Sequence, residues 1–246
     1  MKKTIFSDSI FILVLVLIFI PFVICEPLYV WFKQASASHA FLMGFLKFAV
    51  LATMGEMLGL RIRKGVYNEA GFGIVPRAVV WGFLGVAITA AMMTFKAGAP
   101  ILTDYLFGTN TQHSGAGFAG SVGRANGTTA FFFSASALLK AFSISVMMNC
   151  IFAPVFMTFH KITDTQIVQT GGTLKGFFSN RINFSTILQN LNWTVQWKFV
   201  FLKTIPFFWI PAHTITFILP NEFQVLFAAI LGVVLGVILS IAANKK

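Results

Sequence analysis

KTIPFFWIPAHTITFILPNEFQVLFAAILGVVLGVILS, residues 203–240, decides the reading of the chain. Two apolar runs flank a short polar break at Asn221 and Glu222. Each run is about long enough to cross a hydrocarbon core roughly 30 Å thick. The break is too short to hold a domain, so the stretch reads as a membrane hairpin with a tight turn at one face. Its first run is punctuated by Pro206, Trp209, Pro211, His213, Thr216 and Pro220. A polar side chain at bilayer depth is costly unless it faces other helices or water. Functional residues are therefore sought here first.

The composition agrees. The 246 residues are 57% hydrophobic and 10% charged, against about 25% charged for a soluble domain. The mean hydropathy is +0.83. This is the profile of one integral membrane domain over residues 1–246, with no room for a soluble enzyme domain. A net charge of +11 would suggest nucleic acid in a soluble chain. Here basic loops that orient a polytopic protein and meet anionic lipid explain it, and no nucleic-acid partner is expected. Cys25 and Cys150 lie in or beside apolar runs with no CxxC partner, which argues against a disulfide framework or zinc site. Lys2 and Lys3 before an apolar run resemble a signal peptide, but no small-x-small cleavage site follows, and an uncleaved first span is expected.

Working back from the hairpin, apolar runs place spans at roughly 9–31, 39–60, 76–96, 129–159, 193–219 and 222–243. The second contains Lys47, near an end and able to snorkel, and Glu56, between Gly55 and Gly59. The third repeats Ala78, Gly82, Gly85 and Thr89 at three- and four-residue spacing, a helix-packing face. Residues 97–128 are glycine-rich and read as an outer loop or re-entrant segment, with Ile101–Phe107 as a short interfacial helix. They lack the GxxxxGK[ST] of a phosphate loop. The fourth span is long, carries Lys140 and Asn149, and is expected to tilt or kink at Pro154. Residues 160–192 form a basic loop. Lys and Arg concentrate on one set of loops, which predicts six spans with both termini cytoplasmic. No internal repeat is evident.

The candidate polar path comprises Glu56, Arg77, Lys140, Asn149, Trp209, His213 and Thr216. Trp209, His213, Thr216 and Phe217 share one helical face. That face either lines an aqueous path or is held by hydrogen bonds between helices. Glu56 is either a gate or ion contact, or a carboxylate paired with Arg61, Arg63 or Arg77. Ala228, Gly232, Gly236 and Ser240 recur every four residues and read as a packing ridge, as do Gly82 and Gly85. There is no GxSxG, HExxH or paired Asp cluster, so no catalytic residue, metal site or cofactor is expected.

In order, Trp209, Pro211, His213, Thr216, Phe217, Pro220, Glu222, Leu226, Leu239 and Ser240 match the closing motif of a known family. Earlier, Gly55-Glu56, Arg77 with Gly82-Phe83-Leu84-Gly85, and Asn149 with Pro154 resemble its other motifs more loosely. On these residues the chain resembles the Mpv/PMP family of peroxisomal and mitochondrial inner-membrane proteins. It looks like a bacterial-type member with an extra N-terminal span and a glycine-rich insertion. The pattern departs at Val86 and Thr89, where the family carries Pro and His, and at Gln224, where it carries a basic residue. The resemblance implies a four-helix core and a membrane channel or pore for small metabolites.

The expectation is therefore an all-α transmembrane bundle in a bacterial cytoplasmic membrane, or an organelle membrane if eukaryotic. A channel-like protein passing small solutes leads. A metabolite carrier or substrate-capture subunit, and a structural membrane protein without transport activity, are the alternatives. The lipid bilayer and a small-molecule solute are the expected partners, and homo-oligomerisation is open.

Overall fold

The computed structural model describes residues 2–109, 121–125, 128–132 and 135–244, with side chains for 6–109 and 135–238. It is an all-α helical bundle, as expected. Among the described residues, five helices are long and apolar enough to cross a membrane: Phe6–Ile24, Ala40–Lys64, Ile74–Phe107, Ala135–Gln169 and Asn221–Ile238. The chain is thus a multi-pass membrane protein. Its residues fall into two compact units. The first comprises Met1–Val86, Gln166–Arg181 and Ala229–Lys246; the second comprises Ala87–Thr165 and Ile182–Ala228.

In the first unit, the expected span 9–31 is two helices, α1 (Lys2–Ile24) and α2 (Glu26–Ser38). Cys25 between them is extended, and Pro27 stands in the first turn of α2. A proline there gives up an N–H that a helix start leaves unbonded anyway, so the chain restarts easily. Helix α3 (Ala40–Lys64) ends with Arg61, Arg63 and Lys64 beside its carbonyl end, where cations are favoured, and Gly65 caps it in the left-handed region. Helix α4 (Ile74–Phe107) packs on α3 through glycine. A Cβ on Gly82 would stand 2.4 Å from the Phe45 ring, and one on Gly85 2.5 Å from the Gly44 carbonyl oxygen. The loops at Gly73 and Gly172 meet backbone to backbone; both have positive φ, and a Cβ on either would stand within 2.8 Å of the other loop. Little of α1 is covered. It is tied down at its polar end, where Arg61 donates to both Asp8 oxygens at 2.7 Å and Phe11 stacks on Tyr67 at 4.6 Å.

Three sequence expectations change. Helix α4 runs through Pro100 to Phe107, so residues 97–107 are not loop, and Ile101–Phe107 is helical as the end of α4 rather than as a separate element. Of the remaining glycine-rich stretch, residues 110–120 and 126–127 lie outside the described residues, while β1 (Ser121–Ala125) and β2 (Thr128–Phe132) pair antiparallel. The fourth span begins at Ala135, not 129, and stays helical to Gln169. The supposed basic loop 160–192 is thus largely helical.

That fourth span, in the second unit over most of its length, is α5 (Ala135–Met147), a π-wound turn π1 (Met148–Phe152) and α6 (Ala153–Gln169). The widened turn directly precedes Pro154, which cannot donate back along the helix. The short helices α7 (Leu174–Ser179), α8 (Phe184–Gln189) and α9 (Trp193–Val195) are each started by a side-chain cap, from Thr173, Asn183 and Asn192. The expected fifth span is helical from 193 to 218 but in three pieces: α9, the π-wound segment π2 (Gln196–Trp209) and α10 (Ile210–Ile218). Helix α11 (Asn221–Asn244) follows the turn at Pro220.

Candidate functional site

The sequence-predicted polar residues form two separate clusters, one in each unit. In the first unit, Glu56 of α3 meets Arg77 and Trp81 of α4. Arg77 Nη1 donates to Glu56 Oε2, and Trp81 Nε1 donates to Oε1 at 2.8 Å. Arg77 Nε donates to the Phe72 carbonyl at 2.7 Å, and its guanidinium lies 4.4 Å from the Phe72 ring centre. Both carboxylate oxygens are therefore engaged. Of the three arginines considered as partners, Arg77 reaches Glu56, whereas Arg61 binds Asp8. Trp81 went unrecognised in the sequence, although it lies one helical turn from Arg77 and must share its face.

In the second unit, Asn149 of π1 meets His213 of α10. Asn149 Nδ2 donates to the Ser145 carbonyl at 2.9 Å and lies 3.0 Å from His213 Nδ1. Ser145 Oγ donates to the Ile210 carbonyl at 2.7 Å. The carbonyl of Ser145 can only accept, so the amide nitrogen must point that way. Its second proton then goes to His213 Nδ1, and the neutral ring carries its own proton on Nε2. The Trp209 ring packs on His213 with centroids 5.1 Å apart, and Phe217 lies at 6.3 Å on the other side. Trp209 Nε1 is buried and meets no acceptor among the described residues.

Thr216, fully buried, bonds the Ala212 carbonyl of its own helix and does not join the cluster. Lys140 is buried too, within electrostatic reach of Asp104. Lys47 does not snorkel: its ammonium donates to Ser36 Oγ of α2 at 2.9 Å and lies 4.6 Å from the Phe32 ring centre. At the α10–α11 turn, Lys96 Nζ donates to Asn221 Oδ1 at 2.7 Å and Gln224 Oε1 at 3.1 Å. The fold thus brings a cation from α4 onto Gln224, where the sequence has none.

The packing residues divide. Gly82 and Gly85 are close-contact sites. On α11, Ala228 is buried, but among the described residues a Cβ on Gly232 would meet nothing within 4 Å, and one on Gly236 would meet the Gly55 oxygen at 3.9 Å. The tight contact is Val233 against Gly55, where a Cβ would stand 2.9 Å away. Gly232 thus makes no close contact among the described residues, and the Ser240 side chain lies outside them.

No family model, curated protein or solved structure matches the chain.

Proposed function

We propose that the chain is a channel-like membrane protein that passes small solutes, with its path along the Asn149–His213 seam of the second unit. One observation carries the reading: Trp209, whose ring packs on that of His213, has a buried indole N–H with no acceptor among the described residues. Leaving a buried donor unpaired costs about 1–3 kcal/mol. Such a cost calls for an explanation in a native protein. A passing solute with an oxygen or nitrogen acceptor supplies one. The groups of the seam, Ser145, Asn149 and neutral His213, hydrogen-bond without carrying charge, which suits small uncharged polar solutes.

The resemblance to the Mpv/PMP family points to the same activity, and the Lys and Arg bias of the loops supports both termini on the cytoplasmic side of a bacterial membrane, or of an organelle membrane if eukaryotic. A carrier using this seam differs in giving saturable uptake. A purely structural role is the second reading, and Glu56 favours it, because Arg77 and Trp81 occupy both of its oxygens.

The test is flux of radiolabelled small polar solutes into vesicles holding the purified protein, compared with His213→Leu and Trp209→Phe. Flux that drops in both variants supports the seam. Flux that neither variant changes removes the seam from the path. Flux no greater than in protein-free vesicles leaves the structural role.

A further inference from the structure

Gln196 and Trp209 are the first and last residues of π2. Each holds a buried side-chain N–H, Gln196 Nε2 and Trp209 Nε1, that meets no acceptor among the described residues. They lie 13 positions apart. A π winding bonds i→i+5 and takes about 4.4 residues per turn, so 13 residues make about three whole turns and both side chains fall on one face. An α winding, at 3.6 residues per turn, makes about three and a half turns of the same length and sends them to opposite faces. The winding therefore decides whether Gln196 shares a face with Trp209.

Pro206, inside π2, gives the winding a cause. A proline has no N–H, and in an α-helix its ring clashes with the carbonyl four residues back, here that of Leu202. Widening the turn relieves the clash. The facing helix is also π-wound where it presents Asn149, and such turns concentrate at functional sites. The Trp209 end is held in place by Ser145 Oγ on the Ile210 carbonyl and by Asn149 on His213. The Gln196 end continues from the three-residue α9, which buries no side chain of its own. Any change of winding is taken up there.

We infer that π2 is a two-state element whose shift from i→i+5 to i→i+4 bonding turns Gln196 off the face of Trp209 and His213 and closes the polar path. The closing of a path rests on the function proposed above; the change of winding does not. An α winding is also longer, at 1.5 Å per residue, so the shift extends the segment by several Å.

The test measures length and flux separately. Spin labels are placed at Val195→Cys and Ile215→Cys, both exposed positions flanking π2, in protein carrying Cys25→Ser and Cys150→Ser and reconstituted in vesicles. Pro206→Ala removes the obstacle to α winding. The expected result is a label separation several Å longer than in the Pro206 protein, with solute flux at least five-fold lower. An unchanged separation overturns the two-state winding. A longer separation with unchanged flux overturns its control of the path. Gln196→Leu carries the length test if Pro206→Ala does not fold. It removes one unpaired donor from the π state and is expected to narrow the separations toward the short value, and an unaltered or longer distribution overturns the inference. Absence of flux in every protein defeats the proposed function while the separations still decide the winding.

Discussion

Asn149 Nδ2 lies 3.0 Å from His213 Nδ1, and this contact fixes the state of the imidazole. The same amide donates to the Ser145 carbonyl, so its nitrogen faces both groups and His213 accepts. A buried histidine tied in this way is neutral, with its proton on Nε2. Residues on two helices thus hold each other in one hydrogen-bonding pattern, and each loses its partner if the other is replaced.

Asn149→Leu is expected to destabilise the protein by about 1–3 kcal/mol, because it leaves His213 Nδ1 buried without a donor. Thermal unfolding in detergent measures the loss. Nitrogen-15 NMR of labelled histidine is expected to show the Nε2–H tautomer in the unmodified protein. A charged imidazole at neutral pH would refute the assignment.

Gly85→Ala and Gly232→Ala make a matched pair. The added methyl at Gly85 meets a backbone carbonyl at 2.5 Å, which cannot move without shifting α3. A loss of about 1–3 kcal/mol is expected, as for other overpacked sites. The methyl at Gly232 meets nothing within 4 Å among the described residues. There the helix gains up to about 1 kcal/mol, since alanine loses less backbone freedom than glycine on folding. Equal effects of the two substitutions on the unfolding temperature would contradict the packing described.

Helix character was legible because apolar runs of membrane length leave the backbone no alternative to bonding within itself. The polar residues that matter were legible one at a time, since Glu56, Arg77, Asn149, Trp209 and His213 each stand out against an apolar background. Their pairing was not, because three arginines were near enough in sequence to answer Glu56. The extent of α4 was missed because Gly98 and Pro100 punctuate it as a loop would, yet the helix continues to Phe107. The π winding of Gln196–Trp209 had only Pro206 to announce it, and a proline equally announces a kink. The α11 ridge shows the opposite error: a four-residue repeat of small residues named a face, but only packing could say that Val233, one position away, makes the contact.

Tyr67, in the loop between α3 and α4, gives a pH dependence. Burial, followed by its hydrogen bond to Asp8, raises the phenol above its ordinary value. Folding therefore favours the protonated form. The contribution is complete below the ordinary tyrosine range near about 10 and is lost as pH rises through the raised folded value. Tyr67→Phe is expected to reduce the alkaline loss of stability relative to the unmodified protein, read as unfolding temperature between pH 8 and pH 11, each about. Identical alkaline profiles would show that the phenol does not contribute.

Glu56 and Arg77 separate a structural pair from a functional one. Arg77 is 8% exposed and Glu56 20%, so neither charge is well solvated alone. Glu56→Gln keeps an acceptor for Trp81 but leaves the guanidinium without its counter-charge, and a loss of about 3 kcal/mol is expected, as for a broken buried pair. Removing both charges together, in Glu56→Gln with Arg77→Met, takes away the uncompensated cation as well, and the double variant is expected to recover part of that loss. Unfolding temperatures of the two singles and the double give the coupling directly. Flux adds the functional side. If solutes follow the Asn149–His213 seam, the double variant conducts like the unmodified protein once folded. A folded double variant with flux reduced ten-fold would instead place Glu56 and Arg77 in the path and move it away from His213.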